Sequence, residues 1–210
     1  MLIGGTGSSA AVITGDPINY YRNTLRKIEI GSNAGLNSYA FYSLFSLESV
    51  SVPNTLTQFG SWAFYGCYNL KYVTIPSGLA DASSFRNCYT LQYISIPKSA
   101  TTFSNVQFRA TQCLRRIFVP SVTSIPADFC NTSTALTVVY IPSTVTSIGD
   151  TAFKDCSGMI AYHVKATTPP TLGTTVFTGI HTQCKIYVPS ASLSAYQSAW
   201  SAYSSYLVGE

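Results

Sequence analysis

Charge is what this sequence has least of. Twelve lysines and arginines and eight aspartates and glutamates make up 10% of its 210 residues, against 46% hydrophobic. Solubility therefore has to rest on serine, threonine, asparagine and tyrosine, a hydroxyl-rich surface that suits an extracellular or cell-surface setting. A net charge of +4 carried by scattered cations lacks the basic stripe that phosphate-backbone binding needs, which sets nucleic acid aside as a partner. No run of 18 apolar residues occurs, so no membrane span is expected. Met1 to Gly15 lacks the cationic start and continuous apolar middle of a secretory signal. An extracellular location then requires export by another route, or a longer polypeptide around this segment.

Groups that do chemistry are also few. Of the two histidines, His181 stands near Cys184, but two ligands fall short of the four that a structural zinc site takes. Asp150 and Asp155 are the closest well-spaced carboxylates and fall in a turn, where solvated loop residues are expected. No catalytic residue, cofactor or metal site is expected, and the chain reads as non-enzymatic. The start, Leu2-Ile-Gly-Gly-Thr-Gly-Ser-Ser-Ala10, superficially matches a dinucleotide-binding turn. That turn requires a βαβ unit of about 30 residues, and a different pattern has already begun by Leu25.

What is present is a repeat. An apolar residue followed at +3 and +5 by two more recurs at Leu25, Leu47, Leu70, Leu91, Leu114, Leu136 and Met159, at intervals of 21 to 23 residues, and a weaker eighth unit carries Ile186 and Val188. Alternation with β-branched residues predicts a short strand with one buried face. Proline at +6 (Pro53, Pro76, Pro97, Pro120, Pro142, Pro189) cannot extend a ladder and limits each strand to three or four residues. About 17 residues after each leading position comes a phenylalanine: Phe41, Phe64, Phe85, Phe108, Phe129 and Phe153, with Phe177 further on. Between them Phe59-Gly60, Ile148-Gly149 and Leu172-Gly173 predict a buried apolar residue and a turn. No single repeat buries these positions alone, so the units must stack into a solenoid, with ladders spaced by about 4.8 Å and a length of roughly 35 to 40 Å.

The clearest copy runs Leu136-Thr-Val-Val-Tyr-Ile-Pro-Ser-Thr-Val-Thr-Ser-Ile-Gly-Asp-Thr-Ala-Phe-Lys-Asp-Cys156. It resembles BspA-type leucine-rich repeats, whose Ile-Pro-x-x-Val-Thr-x-Ile-Gly-x-x-Ala-Phe-x-x-Cys run it carries in full, and the resemblance extends over residues 25–189. Gly31 and Lys165 replace the proline, Pro126 stands where glycine is expected, and Asp128 replaces alanine before Phe129, which predicts irregular turns on the same fold. The expected fold class is an α/β-type repeat solenoid, leucine-rich-repeat-like, with a parallel sheet of about eight short strands, irregular turns opposite and a C-terminal capping helix. The expected organisation is a leader or incomplete repeat over 1–24, repeats over 25–189, and a cap with tail over 190–210.

Cys67, Cys88 and Cys156 share a register three residues before the leading position, which predicts unbridged core residues. Asn131-Thr-Ser133 fits a glycosylation acceptor, a motif expected to be silent in a bacterial protein. In the tail, Leu193, Tyr196, Trp200, Tyr203 and Leu207 follow 3-4-3-4 spacing, with Ser190 or Ser192 placed to cap and Gly209 beyond. This predicts one amphipathic helix of about four turns covering the last repeat. Its polar face has no lysine or arginine, which argues against a membrane-surface role.

Strand positions +2 and +4 must point away from the core. There the sequence sets a stripe of Tyr72, Tyr93, Arg116, Phe118, Tyr140, His163 and Tyr187, the candidate ligand-binding residues. Exposed aromatics also satisfy β-propensity without any partner, but Arg116 and Phe118 in mid-stripe favour a contact surface. The expected function is recognition through this face by a monomeric domain. The resemblance implies adhesion or capture of a host or surface protein, or a glycan, at a bacterial cell surface. The alternative is a structural spacer in a larger secreted, surface or phage fibre protein.

Overall fold

The +3 residues Ile28, Val50, Val73, Ile94, Ile117, Val139, Tyr162 and Ile186 all lie buried, and the side chains one position before and after them face away. The computed structural model describes residues 2–3, 21–31, 36, 38–56, 60–75, 85–96 and 108–210. Pro76, Pro97, Phe59 and most of the glycine-rich start lie outside the described residues.

The repeats form parallel strands in sequence order. β1 (Leu2–Ile3), β2 (Lys27–Ile30), β3 (Ser49–Ser51), β4 (Tyr72–Thr74) and β5 (Tyr93–Ser95) make one five-stranded sheet. β6 (Arg116–Phe118) opens a second. Next comes β7 (Ser124–Ile125), then β8 (Val138–Ile141), β9 (Ser147–Ile148), β10 (Ala161–Val164), β11 (Thr171–Leu172) and β12 (Lys185–Val188), and β13 (Leu207–Gly209) lies near the end of the chain. The second sheet is β6-β8-β10-β12-β13, and β7-β9-β11 form a small third sheet. The segment expected to be only a turn is thus a ladder of its own, with Ile125 and Ile148 buried in it. Glycine is needed there for close approach: a Cβ on Gly149 would stand 2.4 Å from Ala127 N, and one on Gly173 would stand 2.5 Å from Asp150 N.

A column of rings fills the middle. Phe41, Phe64, Phe85, Phe108, Phe129, Phe153 and Phe177 follow one another at centroid spacings of 5.2 to 6.1 Å. The pairs Phe64/Phe85, Phe85/Phe108 and Phe153/Phe177 are stacked, whereas Phe129 meets both neighbours edge-on, at 87° and 85°. Backbone register explains the change. Phe108 N donates to Phe129 O just as Phe41 N donates to Ala63 O, so Phe129 occupies the alanine position and Cys130 the phenylalanine one. Asp128 therefore does not replace alanine; it takes the left-handed position held in other coils by Tyr39, Trp62 and Thr151. Its carboxylate accepts from Arg109, Asn131 and Thr151, tying three coils together. Burial would raise this carboxyl, but the bonds from Asn131 and Thr151 and the Arg109 charge outweigh it and hold it below the ordinary value. Asn131 itself is 7% exposed and Ser133 fully buried, so the glycosylation motif lies inside the molecule.

The cysteine column caps carbonyls. Cys67 Sγ donates to Phe41 O and Cys88 Sγ to Phe64 O, each at 3.2 Å, and Cys156 Sγ donates to Cys130 O at 3.1 Å. Thr111 and Ser133 stand in the same register and both bond Phe108 O. All six cysteines are free, and only Cys113 is partly exposed. Burial pushes the Cys67 and Cys156 thiols up to about 12, so neither is a nucleophile near neutral pH. A thiol reagent is expected to titrate six groups in denaturant and one in the native protein, and a native count above one would contradict this packing.

The tail differs from the single helix expected. α1 spans Leu193–Ala199, a 3₁₀ turn covers Ser201–Tyr206, and the chain then re-enters the sheet as β13, with Gly209 paired to Val188. No side chain caps α1. The inward residues are as predicted: Tyr196, Trp200 and Leu207 are buried, and Leu193 and Tyr203 pack on the core. Tyr196 and Trp200 donate to the carbonyls of Ala166 and Pro170, anchoring the tail to an irregular loop whose acceptors would otherwise be left bare. Closure at Trp200, with ψ at 44°, breaks the helix and lets β13 cover the edge of β12.

Candidate functional site

Alternation along the repeat strands turns the seven stripe residues outward as the sequence requires, though to different degrees. Tyr72, Tyr93 and Phe118 are more than half exposed, Arg116 and Tyr140 are exposed, and His163 and Tyr187 are half-buried. Parallel pairing in register places each +4 residue beside the next: Phe118 against Tyr140, Tyr140 against His163, His163 against Tyr187. Their rings stack nearly parallel at 4.8, 4.9 and 4.9 Å. These spacings equal the distance between strands, so the sheet itself fixes the stack.

A carboxylate secures this stack at His163. Glu210 accepts from His163 Nδ1 at 2.9 Å and pairs with Lys165. Burial would raise the Glu210 carboxyl, but the hydrogen bonds from Lys165 and His163 hold it below its ordinary value of 4.5. A depressed folded-state value means that this contribution to stability is present above about pH 4.5 and is lost as pH falls through the folded value. Glu210→Gln is therefore expected to lose less stability than the wild type between pH 6 and pH 3 in urea titrations. Equal losses would show the carboxylate to be uncoupled from folding.

Tyr72 and Tyr93 do not join the stack. Tyr72 donates its hydroxyl to Gln92 Oε1 at 3.0 Å, and the rings of both tyrosines have no aromatic partner among the described residues. The stripe divides because the sheet does: no pairing joins β5 to β6 among the described residues. Behind the break the molecule is continuous, since Phe85 stacks on Phe108 and Asn87 N donates to Arg109 O at 2.9 Å. The front therefore opens into a cleft of about 700 Å³, with β5, Gln92 and Ile96 on one wall and Arg115, Arg116 and Phe118 on the other. A second recess of about 500 Å³ adjoins it, lined by Tyr72, Gln112 and Cys113 among others.

Of the predicted residues, the structure gathers Tyr93, Arg116 and Phe118 at this cleft and sets Tyr140, His163 and Tyr187 in the ladder beside it. Gln92, Arg115 and Cys113 escaped the sequence reading because they precede the strand, where strict alternation no longer applies. The signal for Gln92 and Arg115 is position +1, which is polar in most units: Glu48 there bridges Arg26 and Lys71 on its two neighbours. Asp150 and Asp155 lie exposed on the turns, and His181 accepts from Gln183 N. Among the described residues no cluster of three or more histidines, cysteines or acids is placed to hold a metal, and no helix is long and apolar enough to cross a membrane.

The model of the BspA type leucine rich repeat region matches in six copies, over residues 34–160 and 123–206. No curated protein matches the chain. Among solved structures, the T. pallidum leucine rich repeat protein superposes with a TM-score of 0.66 at 22% identity, over 82% of each chain. A leucine-rich repeat protein from Bacteroides ovatus gives 0.49 at 19% identity, over 80% of this chain and 56% of that one. A leucine rich cell surface protein from Faecalibacterium prausnitzii gives 0.37 at 16% identity, over 100% and 88%. The repeat family is one of protein-interaction modules. On that match this chain belongs to the BspA type leucine-rich repeat family.

Proposed function

We propose that this chain is a recognition module of a bacterial surface or secreted protein, and that adhesion or ligand binding runs through the outward face of its sheets. One observation carries the reading. Among the described residues four of the seven exposed large hydrophobic side chains stand on this face: Tyr72, Tyr93 and Phe118, which are 53%, 55% and 63% exposed, and Tyr140. Monomeric proteins rarely leave such side chains in one contiguous patch without a partner for them. The stacked rings are also held by the sheet before any ligand arrives, which lowers the ordering cost of binding. Tyrosine and arginine at the centre are the side chains that most often dominate contact energies.

Surface plasmon resonance against purified extracellular-matrix proteins and host glycans tests this. A saturable interaction is expected, and replacing Tyr93, Arg116 and Phe118 together by alanine is expected to weaken it by about 100-fold, with circular dichroism unchanged. Undiminished binding by that variant would remove the face from consideration. An inert face on both proteins would favour the spacer role.

A further inference from the structure

The geometry points to the break between β5 and β6 as the docking site for an extended acidic peptide segment of a partner protein, one that carries an aromatic side chain. The inference rests on the outward face being a recognition surface and adds the chemistry of what it takes.

Three features of the cleft agree on this occupant. The first is the backbone. Tyr93 N and Ser95 O are committed to the β4 side, through Lys71 O and Ile75 N. In a parallel ladder alternate residues bond to opposite neighbours, so the N–H and C=O of Ile94 are turned toward β6. On β6 the bonds from Val119 N to Tyr140 O and from Val138 N to Arg115 O face β8. The backbone groups of Arg116 and Phe118 are then turned toward β5. Two strand edges without a pairing partner among the described residues thus face one another between the two sheets, and a peptide strand can extend both ladders from its own main chain.

The second feature is an unfinished stack. One face of Phe118 is covered by Tyr140, while its other neighbour at the +4 position is Ser95, too small to cover it. A planar side chain above Ser95 extends the ring ladder by one rung. The third is charge. Arg115 and Arg116 are both exposed, and among the described residues neither makes an ion pair and no carboxylate lines the cleft. On the same outward side the carboxylates that are present already hold cations: Glu29 pairs with Lys27, Glu48 with Arg26 and Lys71, and Glu210 with Lys165. Two exposed arginines on one wall of the cleft suit carboxylates on the incoming segment.

Fluorescence anisotropy with a labelled random copolymer of glutamate and tyrosine tests the inference, with poly-glutamate, a lysine/tyrosine copolymer and polygalacturonate as comparisons. Saturable binding of the glutamate/tyrosine copolymer is expected, with each comparison about tenfold weaker or more. Ser95→Tyr, which plugs the rung from within, and Arg115→Glu with Arg116→Glu are each expected to weaken it by about tenfold or more at unchanged thermal midpoint. Hydrogen exchange at the amides of Ile94 and Phe118 is expected to slow on binding. Equal binding of polygalacturonate, no binding of the copolymer, or indifference to Ser95→Tyr would each overturn the proposal. If Tyr187→Ala abolishes binding while Ser95→Tyr does not, the cleft is wrong and the outward face stands; if neither variant has an effect, both fall.

Discussion

Phe153→Ala is expected to lower the free energy of unfolding by about 3 to 5 kcal/mol, read as a fall in the urea midpoint at unchanged slope. The ring is wholly buried and meets Phe129 at 6.0 Å, Tyr162 at 5.2 Å and Phe177 at 5.8 Å. Its removal leaves a hole between three rigid rings, all of which belong to neighbouring coils. In a solenoid each coil is supported only by the next, so the weakened contact lies in series with the rest. Domains of this size are stable by about 5 to 15 kcal/mol, and the loss is a large share of that margin. A midpoint within experimental error of the wild type would show that the phenylalanine column is not the main cohesive element.

Trp200→Ala is expected to cost a similar 3 to 5 kcal/mol or so, with a further consequence for solution behaviour. Trp200 closes the ring column, 5.7 Å from Phe177, and its indole N–H satisfies the carbonyl of Pro170. Truncation leaves that acceptor unpaired and opens the end of the core to solvent. Size-exclusion chromatography is expected to show self-association of the variant where the wild type runs as a single species. A stable, monodisperse variant would mean that α1 and β13 close the end of the solenoid without the tryptophan.

The repeat strands and their two faces were legible from spacing alone, because alternation in a strand leaves a side chain only two directions. The phenylalanine column was legible except at Phe129. Counting from Leu114 places that ring in the column, but the backbone bonds put it one position early, and Cys130 takes its slot. The neighbouring Cys156, which caps Cys130 O as Cys67 caps Phe41 O, is the clue that alignment on rings overlooks. The tail misled for a different reason: a 3-4-3-4 pattern fits a continuous helix and also a helix, a 3₁₀ turn and a strand that keep the same side inward. Nothing in the sequence marks the break between β5 and β6, since Leu91 and Leu114 are separated by an ordinary interval. Whether two adjacent strands pair depends on how their coils seat on one another, and that is a property of packing.

The rings of Phe118, Tyr140, His163 and Tyr187 follow one another at 4.8, 4.9 and 4.9 Å, and this regularity acts as a ruler. A partner lying along it is measured against marks that the hydrogen-bonded sheet does not allow to shift. A chain whose own repeat matches the marks gains every contact at once, whereas one with another repeat is out of step after two or three strands. Selection by this surface would then fall on periodicity, so that length and rhythm along a polymer count alongside the chemistry of any single group.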